Sequence, residues 1–156
     1  LRGLRPGRGR SDEDRLTVAQ ASSRMHETGA YQHAYWAGVA LALVAEVDAQ
    51  QQGASLDDLV RALRRRFPDD DEARTASTLL AAITDGPGGV AARALERAFA
   101  EHKDTSWPDV EPLLARLGVV VDAFGSVTLD DRAPLAAVRR AITQPAARTA
   151  APVAAR

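Results

Sequence analysis

Apolar residues recur at intervals of three and four along most of the chain, and clusters of glycine, proline and aspartate separate the resulting segments. Between Leu56 and Phe67 the apolar positions are 56, 59, 60, 63 and 67, which is the spacing of one helix face. Similar patterns predict six further helices, over about 11–25 and 31–52, from the acidic run 69–71 to the break before Gly86, over about 90–102, from Trp107 to Gly118, and over 135–142.

One segment departs from the helical spacing and predicts a small β-hairpin. The runs Val119–Val121 and Val127–Leu129 flank a turn sequence that contains Gly125. Hydrophobic residues form 46% of the chain, many of them alanine, and aromatic residues only 4%, which favours close-packed helices elsewhere. We therefore predict a mainly all-α fold, an orthogonal bundle of about seven helices with a hairpin near 119–129.

The two ends of the chain differ in composition from its centre. Residues 1–10 combine arginine, glycine and proline, so we expect a flexible basic arm or a truncated loop, with an RNA-binding arm as the alternative. Residues 144–156 are rich in alanine, arginine and proline and have little to pack with, so we expect a tail. Between them, residues 11–143 are predicted to form one helical domain, which is long enough to bury a core.

Several predicted helix ends carry local signals. Ser11 and the acidic residues after it predict the start of the first helix, and Gly29 predicts its end. Ser55 and Asp58 form a capping box at the start of the third helix, with aspartate in place of the usual glutamate. The glycine-rich run 86–89 is interpreted as a break between helices.

Residues 37–45 are apolar on every side of the second predicted helix, so we expect protein to surround it. The run is too short to span a bilayer, no signal peptide is visible, and the sequence indicates no compartment. Twenty basic and 21 acidic side chains give a net charge of −1, which provides no general attraction to nucleic acid or to an anionic membrane.

The metal-binding pattern that the sequence suggests is incomplete. His26 and Glu27 begin like the His-Glu-x-x-His zinc motif, but Ala30 stands where the second histidine belongs. Gly29 interrupts the helix that the motif needs, and His33 comes three residues too late. Both histidines are interpreted as surface or supporting groups. The chain has no cysteine, so disulfides and thiolate ligands are excluded, and we expect no metal site in this chain.

Tyr35 is the candidate catalytic residue, since the sequence contains neither a nucleophile elbow nor a phosphate-binding loop. A tyrosine hydroxyl at the start of a buried helix can donate a hydrogen bond to an oxyanion that develops during peptide hydrolysis. Gly38, one turn later, lets a substrate or another backbone come close. The alternative is that Tyr31, Tyr35 and Trp36 are packing residues at a helix entrance.

The stretch from Tyr35-Trp36-Ala37-Gly38 through the apolar helix to the helix start at Ser55–Asp58 resembles the C-terminal helical domain of gluzincin zinc metallopeptidases. The glycyl-aminopeptidase-like branch is the most similar, and the aminopeptidase-N-like enzymes are more distant. The resemblance covers roughly residues 12–143 and is specific across about 31–63. In that family a Tyr-x-Lys-Gly motif follows the zinc-binding helices. The resemblance implies that Tyr35 stabilises the tetrahedral intermediate of peptide hydrolysis.

Two parts of the family pattern are absent from this sequence. Ala37 stands where the family often has lysine, and the His-Glu-x-x-His helix with its downstream glutamate does not occur. The resemblance implies that zinc, the general base and most substrate contacts belong to a missing N-terminal catalytic half. The implied partners are that catalytic domain and a peptide substrate, and this chain alone is expected to bind no zinc and to cleave nothing. A non-catalytic helical interaction module and a metal-free pseudoenzyme remain as alternatives.

Overall fold

A computed structural model describes residues 16–68 and 72–144. Within these residues it contains seven helices and one antiparallel pair of strands, so the predicted mainly all-α fold with a small hairpin is confirmed. The helices are α1 (Val18–Thr28), α2 (Tyr31–Gln51), α3 (Leu56–Arg66), α4 (Ala76–Ala81), α5 (Gly86–His102), α6 (Glu111–Arg116) and α7 (Ala136–Thr143), and the strands are β1 (Val119–Val121) and β2 (Val127–Leu129).

Helix α2 is the central element, and α1, α3, α5 and α7 pack around it. The core cluster that α2 shares with α5 is rich in alanine, whose small side chain lets two helix backbones approach closely. Its buried alanines include Ala37, Ala45 and Ala49 of α2 and Ala91, Ala94 and Ala98 of α5. The alanine content of the sequence is therefore used to build the main core.

A second, smaller core cluster joins the far end of α2 to the hairpin and to α7. Val47 of α2 is buried there together with Leu117 and Leu135, and Val119 of β1 packs against them. The two strands pair as predicted, with Val119 opposite Leu129 and Val121 opposite Val127. The hairpin thus rests on the core through β1, and β2 is its outer strand.

Arg139 of α7 ties the last helix to both ends of the hairpin. Its buried guanidinium donates to the backbone carbonyls of Leu117 (2.8 Å), Gly118 (3.3 Å) and Asp130 (3.1 Å), and to the carboxylate of Asp131. A buried guanidinium is stable only when its donors are engaged in this way. The arginine-rich end of the chain therefore includes one residue that is part of the interior.

Helix α1 begins with a capping box. The Thr17 hydroxyl accepts the amide of Gln20 (3.2 Å), and the Gln20 side chain accepts the amide of Thr17 (3.0 Å). This reciprocal capping box starts α1 at Val18, and the predicted helix start at Ser11 lies outside the described residues. The predicted end is confirmed, because Gly29 follows the helix with a left-handed φ of 74°.

The third helix starts as predicted. The Ser55 hydroxyl accepts the amide of Asp58 (3.3 Å), and the Asp58 carboxylate accepts the amide of Ser55 (3.0 Å). A third amide of this turn is also satisfied, because Leu56 donates to the Glu46 carboxylate of α2 at 2.6 Å. Glu46 therefore links the end of α2 to the start of α3.

Helix α5 begins at Gly86, four residues before the predicted start, so the interpretation of the glycine run as a break is wrong. Pro87 occupies the first turn, where its missing amide costs no helical hydrogen bond. A Cβ at Gly88 would lie 2.7 Å from the Cβ of Ala62, and one at Gly89 would lie 2.2 Å from the carbonyl oxygen of Thr84. These glycines allow close contact inside the helix start rather than ending a helix.

Two apolar side chains near α5 and α4 have different surroundings. Phe99 is 44% exposed, because α5 turns the alanine positions 91, 94 and 98 toward the core. Ile83, which follows the end of α4 at Ala81, is buried. The short α4 is capped by the Thr75 hydroxyl, which accepts the amide of Thr78 at 3.3 Å.

Four predicted features lie outside the described residues: the basic arm 1–10, the helix start at Ser11, the acidic run 69–71 and the tail from residue 145 onward. Among the helices of 16–68 and 72–144, none combines the length and the apolar character needed to cross a membrane.

Candidate functional site on helix α2

One face of α2 is exposed over its first two turns. Tyr31, Tyr35 and Gly38 follow one another at intervals of four and three, so they lie on the same side of the helix, and all three are exposed. Ala42 continues this side and is half-buried. Tyr31 and Tyr35 precede the run 37–45 that is expected to be surrounded by protein; within that run Gly38 is exposed, and the other positions are buried or half-buried. We call this side of α2 the Tyr35 face.

Tyr35 is 63% exposed, yet its ring has a defined neighbour. It meets the Trp36 ring edge to face, with 5.1 Å between the ring centroids and an interplanar angle of 84°. Trp36 is itself held by a hydrogen bond from its indole nitrogen to the Gln32 side chain at 3.2 Å. Within residues 16–68 and 72–144 the Tyr35 hydroxyl makes no hydrogen bond, so it is available as a donor to a group outside this part of the chain.

Tyr31, one turn earlier on the same face, has a different environment. Its hydroxyl lies 3.0 Å from Nδ1 of His26 at the end of α1, and the two rings meet edge to face with centroids 5.6 Å apart. His26 therefore serves as a supporting group, as the sequence predicts. The two exposed tyrosines differ in that one hydroxyl is paired within the fold and the other is not.

Gly38 has no local reason to be glycine in the described structure. Its φ is not positive, and a Cβ built on it would have no atom within 4 Å outside its own helix and its chain neighbours. Glycine inside a helix costs about 1 kcal/mol relative to alanine. The open space above Gly38 lies on the same face of α2 as Tyr35, which is three residues earlier.

His33 is buried, so of the two alternatives for this residue, a surface or a supporting group, the surface alternative is wrong. It lies between Tyr31 and Tyr35 in sequence and so points to the opposite side of α2. Its ring meets the Trp107 ring edge to face at 5.5 Å, and its Nε2 atom has no hydrogen-bond partner among the described residues. Trp107 comes from the distant loop after α5, and no local sequence signal indicates this contact.

No group of three or more histidine, aspartate and glutamate side chains in the described ranges is placed to hold a metal ion. The His26-Glu27 pair lies at the end of α1, and Gly29 separates it from Ala30, so these residues do not share a helix face. The geometry offers a hydrogen-bond donor and an open surface, and the described residues do not supply a metal site.

A cleft of about 610 Å³ lies further along α2, where its end meets the start of α3 and the end of α7. Glu46, at its edge, is eleven residues after Tyr35, which is about three turns or about 16 Å along the same side of the helix. The Glu46 carboxylate is already engaged by the Leu56 amide and by the Gln50 side chain (2.7 Å). Sequence reasoning missed this cleft, because its walls come from three separate segments.

No protein family, curated protein or solved structure matches this chain in the comparisons with known proteins. The resemblance to the gluzincin peptidases therefore rests on the residues quoted above.

Proposed function

We propose that this chain is the C-terminal helical part of a zinc-dependent peptidase of the gluzincin type, acting on peptides in the manner of an aminopeptidase. Tyr35 supplies a hydrogen bond to the oxyanion of the tetrahedral intermediate. The zinc ion, the general base and most substrate contacts belong to a catalytic region outside this chain. A zinc ion held there would supply the Lewis-acid chemistry that activates water and polarises a peptide carbonyl group.

The observation that carries this proposal is the pairing of Tyr35 with Gly38 on an exposed face. The Tyr35 hydroxyl has no partner among the described residues, while its ring is oriented by Trp36. Gly38 leaves open space on the same face of α2, although the fold does not require glycine there. A positioned donor on an open face is what stabilisation of a developing oxyanion needs.

A non-catalytic interaction module is the second candidate function, and the same face supports it. Exposed tyrosine rings beside a glycine form a surface on which a helix of another protein can pack. In this case the rings carry the binding energy, and the Tyr35 hydroxyl has no special role. The two functions therefore predict different effects of removing the Tyr35 hydroxyl: a loss of turnover for the peptidase and little change for the interaction module.

The experiment compares Tyr35→Phe with Tyr31→Phe in the product of the complete reading frame. For a peptidase, Tyr35→Phe should lower kcat by about 100- to 1,000-fold, the cost of removing one oxyanion donor, with little change in stability. Tyr31→Phe is the matched control, because it removes the other exposed hydroxyl of the same face, and its kcat should stay within about threefold of the wild type.

Zinc content and hydrolysis of small peptides are measured on the same preparations. One zinc per chain, with hydrolysis abolished by a chelator, is the result expected of a peptidase. A folded product without zinc and without activity would contradict the proposal and would favour the interaction module or the pseudoenzyme. Equal loss of activity in both tyrosine variants would remove the special role of Tyr35.

A further inference from the structure

The cleft where α2, α3 and α7 meet has two kinds of lining. Carboxylate groups come from Glu46, Asp57 and Asp58, and aliphatic side chains come from Leu56 and Ile142. Its volume of about 610 Å³ is within the range of small-molecule sites. A ligand suited to both kinds of lining carries a positive charge at the end of an apolar stem, as a lysine or arginine side chain does.

The negative charge of the cleft is not balanced by its own residues. Among the described residues that line it, Arg61 carries the positive charge, and it donates to Asp57 at 2.9 Å and to Asp58 at 3.1 Å. Three carboxylates and one guanidinium leave a net charge of −2. The positive end of the α3 dipole offsets about half of one charge, so an excess of negative charge remains and attracts a second positive group.

Glu46 and Asp57 have oxygen atoms that can accept further hydrogen bonds. Each oxygen of Glu46 accepts one, from the Gln50 side chain (2.7 Å) or from the Leu56 amide (2.6 Å), although a carboxylate oxygen can accept two. Oδ1 of Asp57 accepts none within the described ranges, since Arg61 donates to Oδ2. An ammonium group, with three N–H donors, can therefore bind here without displacing the hydrogen bonds that join α2 to α3.

The cleft and the Tyr35 face lie on the same side of α2. The residues of α2 that mark this side are Tyr35, Gly38, Ala42 and Glu46. At 3.6 residues per turn, eleven residues bring Glu46 to within about 20° of Tyr35 around the helix axis and about 16 Å along it. The two residues between them are small, so α2 itself places no large side chain on the way. An extended peptide covers that distance with about five residues.

We propose that the cleft binds a lysine or arginine side chain of the peptide substrate, about five residues from the bond that is cleaved. The assignment of this position rests on the proposed function, in which Tyr35 hydrogen-bonds to the oxyanion formed at that bond. An aminopeptidase cleaves after the first residue of its substrate, so the basic residue lies at about the sixth position. The substrate class is therefore peptides long enough to reach the cleft, with a basic residue at about that position.

The experiment compares two series of alanine–glycine peptides as substrates of the product of the complete reading frame. In one series a single lysine is moved from the third to the ninth position, and in the other series glutamine takes the place of lysine. We expect the lysine peptide to have the higher kcat/KM, by about tenfold, at the sixth position or one residue to either side, since a hydrogen bond to a charged group contributes about this much. Hydrolysis of both series with no such maximum would overturn the inference and leave the proposed function intact.

Asp57→Asn tests whether the cleft is responsible for this preference. It removes one negative charge and keeps the shape of the side chain, and Asp57 takes no part in the capping box of α3. The preference for lysine should fall to about threefold or less, the size of a weak ion pair. Asp104→Asn is the matched control, because it removes an exposed carboxylate that does not line the cleft, and it should keep the full preference. Equal preferences in the two variants would overturn the inference.

Binding is measured separately from turnover, so that a failure of the proposed function can be recognised. Fluorescently labelled peptides whose first peptide bond is reduced to an amine cannot be hydrolysed there, and their anisotropy reports binding. Equal binding of the lysine and glutamine peptides would overturn the inference. Tighter binding of the lysine peptide by a protein that hydrolyses neither series would overturn the proposed peptidase and leave the cleft as a site for a basic side chain.

A free amine is the other source of the same chemistry. n-Butylamine, which is the end of a lysine side chain without its peptide, should displace the labelled lysine peptide only at much higher concentrations than an unlabelled copy of that peptide. Displacement at equal concentrations would show that the cleft binds free amines rather than a substrate side chain, and this result would also overturn the inference.

Discussion

Helices α2 and α5 both contain glycine near their beginnings, and the two helix starts differ in what surrounds them. At the start of α5, Gly88 and Gly89 are buried, and a methyl group on either would meet Ala62 or Thr84 at less than 3 Å. In the second turn of α2, Gly38 is exposed and has nothing near it. Packing in the interior explains the glycines at the start of α5, but it does not explain Gly38 of α2.

The difference distinguishes a glycine that packing requires from a glycine that the fold itself does not require. A glycine required by packing reveals itself as soon as its neighbours are known, because the contact distance leaves no room for a side chain. A helical glycine with free space reduces stability without any gain inside the described fold. The explanation for Gly38 is then sought outside it, in the substrate or the catalytic region that the proposed function assigns to the Tyr35 face.

The largest effect is expected at Gly89. Gly89→Ala would place a methyl group 2.2 Å from a backbone oxygen, which cannot move aside as the tip of a side chain can. We expect a loss of about 3 kcal/mol in the free energy of unfolding, in the upper range of overpacking substitutions. Urea unfolding followed by circular dichroism measures it. A loss below about 1 kcal/mol, the lower end of that range, would show that the start of α5 is not tightly packed.

A smaller loss of stability is expected at Gly88, and a second substitution, Ala62→Gly, should partly restore it. Gly88→Ala would bring two Cβ atoms to 2.7 Å, and we expect a loss of about 1–2 kcal/mol. Ala62→Gly removes the opposing methyl group and by itself costs about 1 kcal/mol, as glycine does in a helix.

The double variant tests the contact between these two positions. The double variant should lose about 1 kcal/mol less free energy of unfolding than the sum of the two single losses. The reason is that Ala62→Gly removes the methyl group that the new Ala side chain at position 88 would meet. The same urea titrations provide all four values. Simple additivity of the single effects would contradict the contact between α5 and α3.

The local signals in the sequence predicted most of the elements of this fold. The capping box of Ser55 and Asp58, the left-handed Gly29 and the β-branched strands of the hairpin each depend on residues that are close in sequence, and each is confirmed. The start of α5 could not be predicted in this way. Its glycines resemble a break unless one knows that Ala62 and Thr84 lie against them.

The candidate site was predictable only in part. The pattern placed Tyr35 and Gly38 on one side of α2, but it also predicted that the run 37–45, which includes Gly38, would be surrounded by protein. Exposure of that side depends on where α1, α3, α5 and α7 lie, which is a tertiary property. For the same reason the pattern left open whether His33 is a surface or a supporting group, since its contact with Trp107 joins segments far apart in the chain.

The smallest expected effect on the free energy of unfolding is at Gly38, and it is a gain, whereas the substitutions at Gly88 and Gly89 cause losses. Gly38→Ala should raise the free energy of unfolding by about 0.5–1 kcal/mol, because alanine favours the helix and meets no atom. Gly53→Ala is the matched control, since Gly53 is also exposed and uncrowded but has a φ of 74°. The left-handed backbone conformation is unfavourable for a residue that has a Cβ, so this variant should lose about 1 kcal/mol in the free energy of unfolding.

The same two glycine variants also test the proposed function, because their effects on stability and on kcat/KM are expected to differ. If the space above Gly38 receives a substrate or a catalytic region, then Gly38→Ala should make the complete protein more stable and yet lower its kcat/KM, whereas Gly53→Ala should lower stability and leave kcat/KM unchanged. A gain in stability with unchanged turnover would mean that the space is not used in catalysis. Gly38 would then provide no support for the proposed peptidase, and the role of Tyr35 would depend on its own hydroxyl.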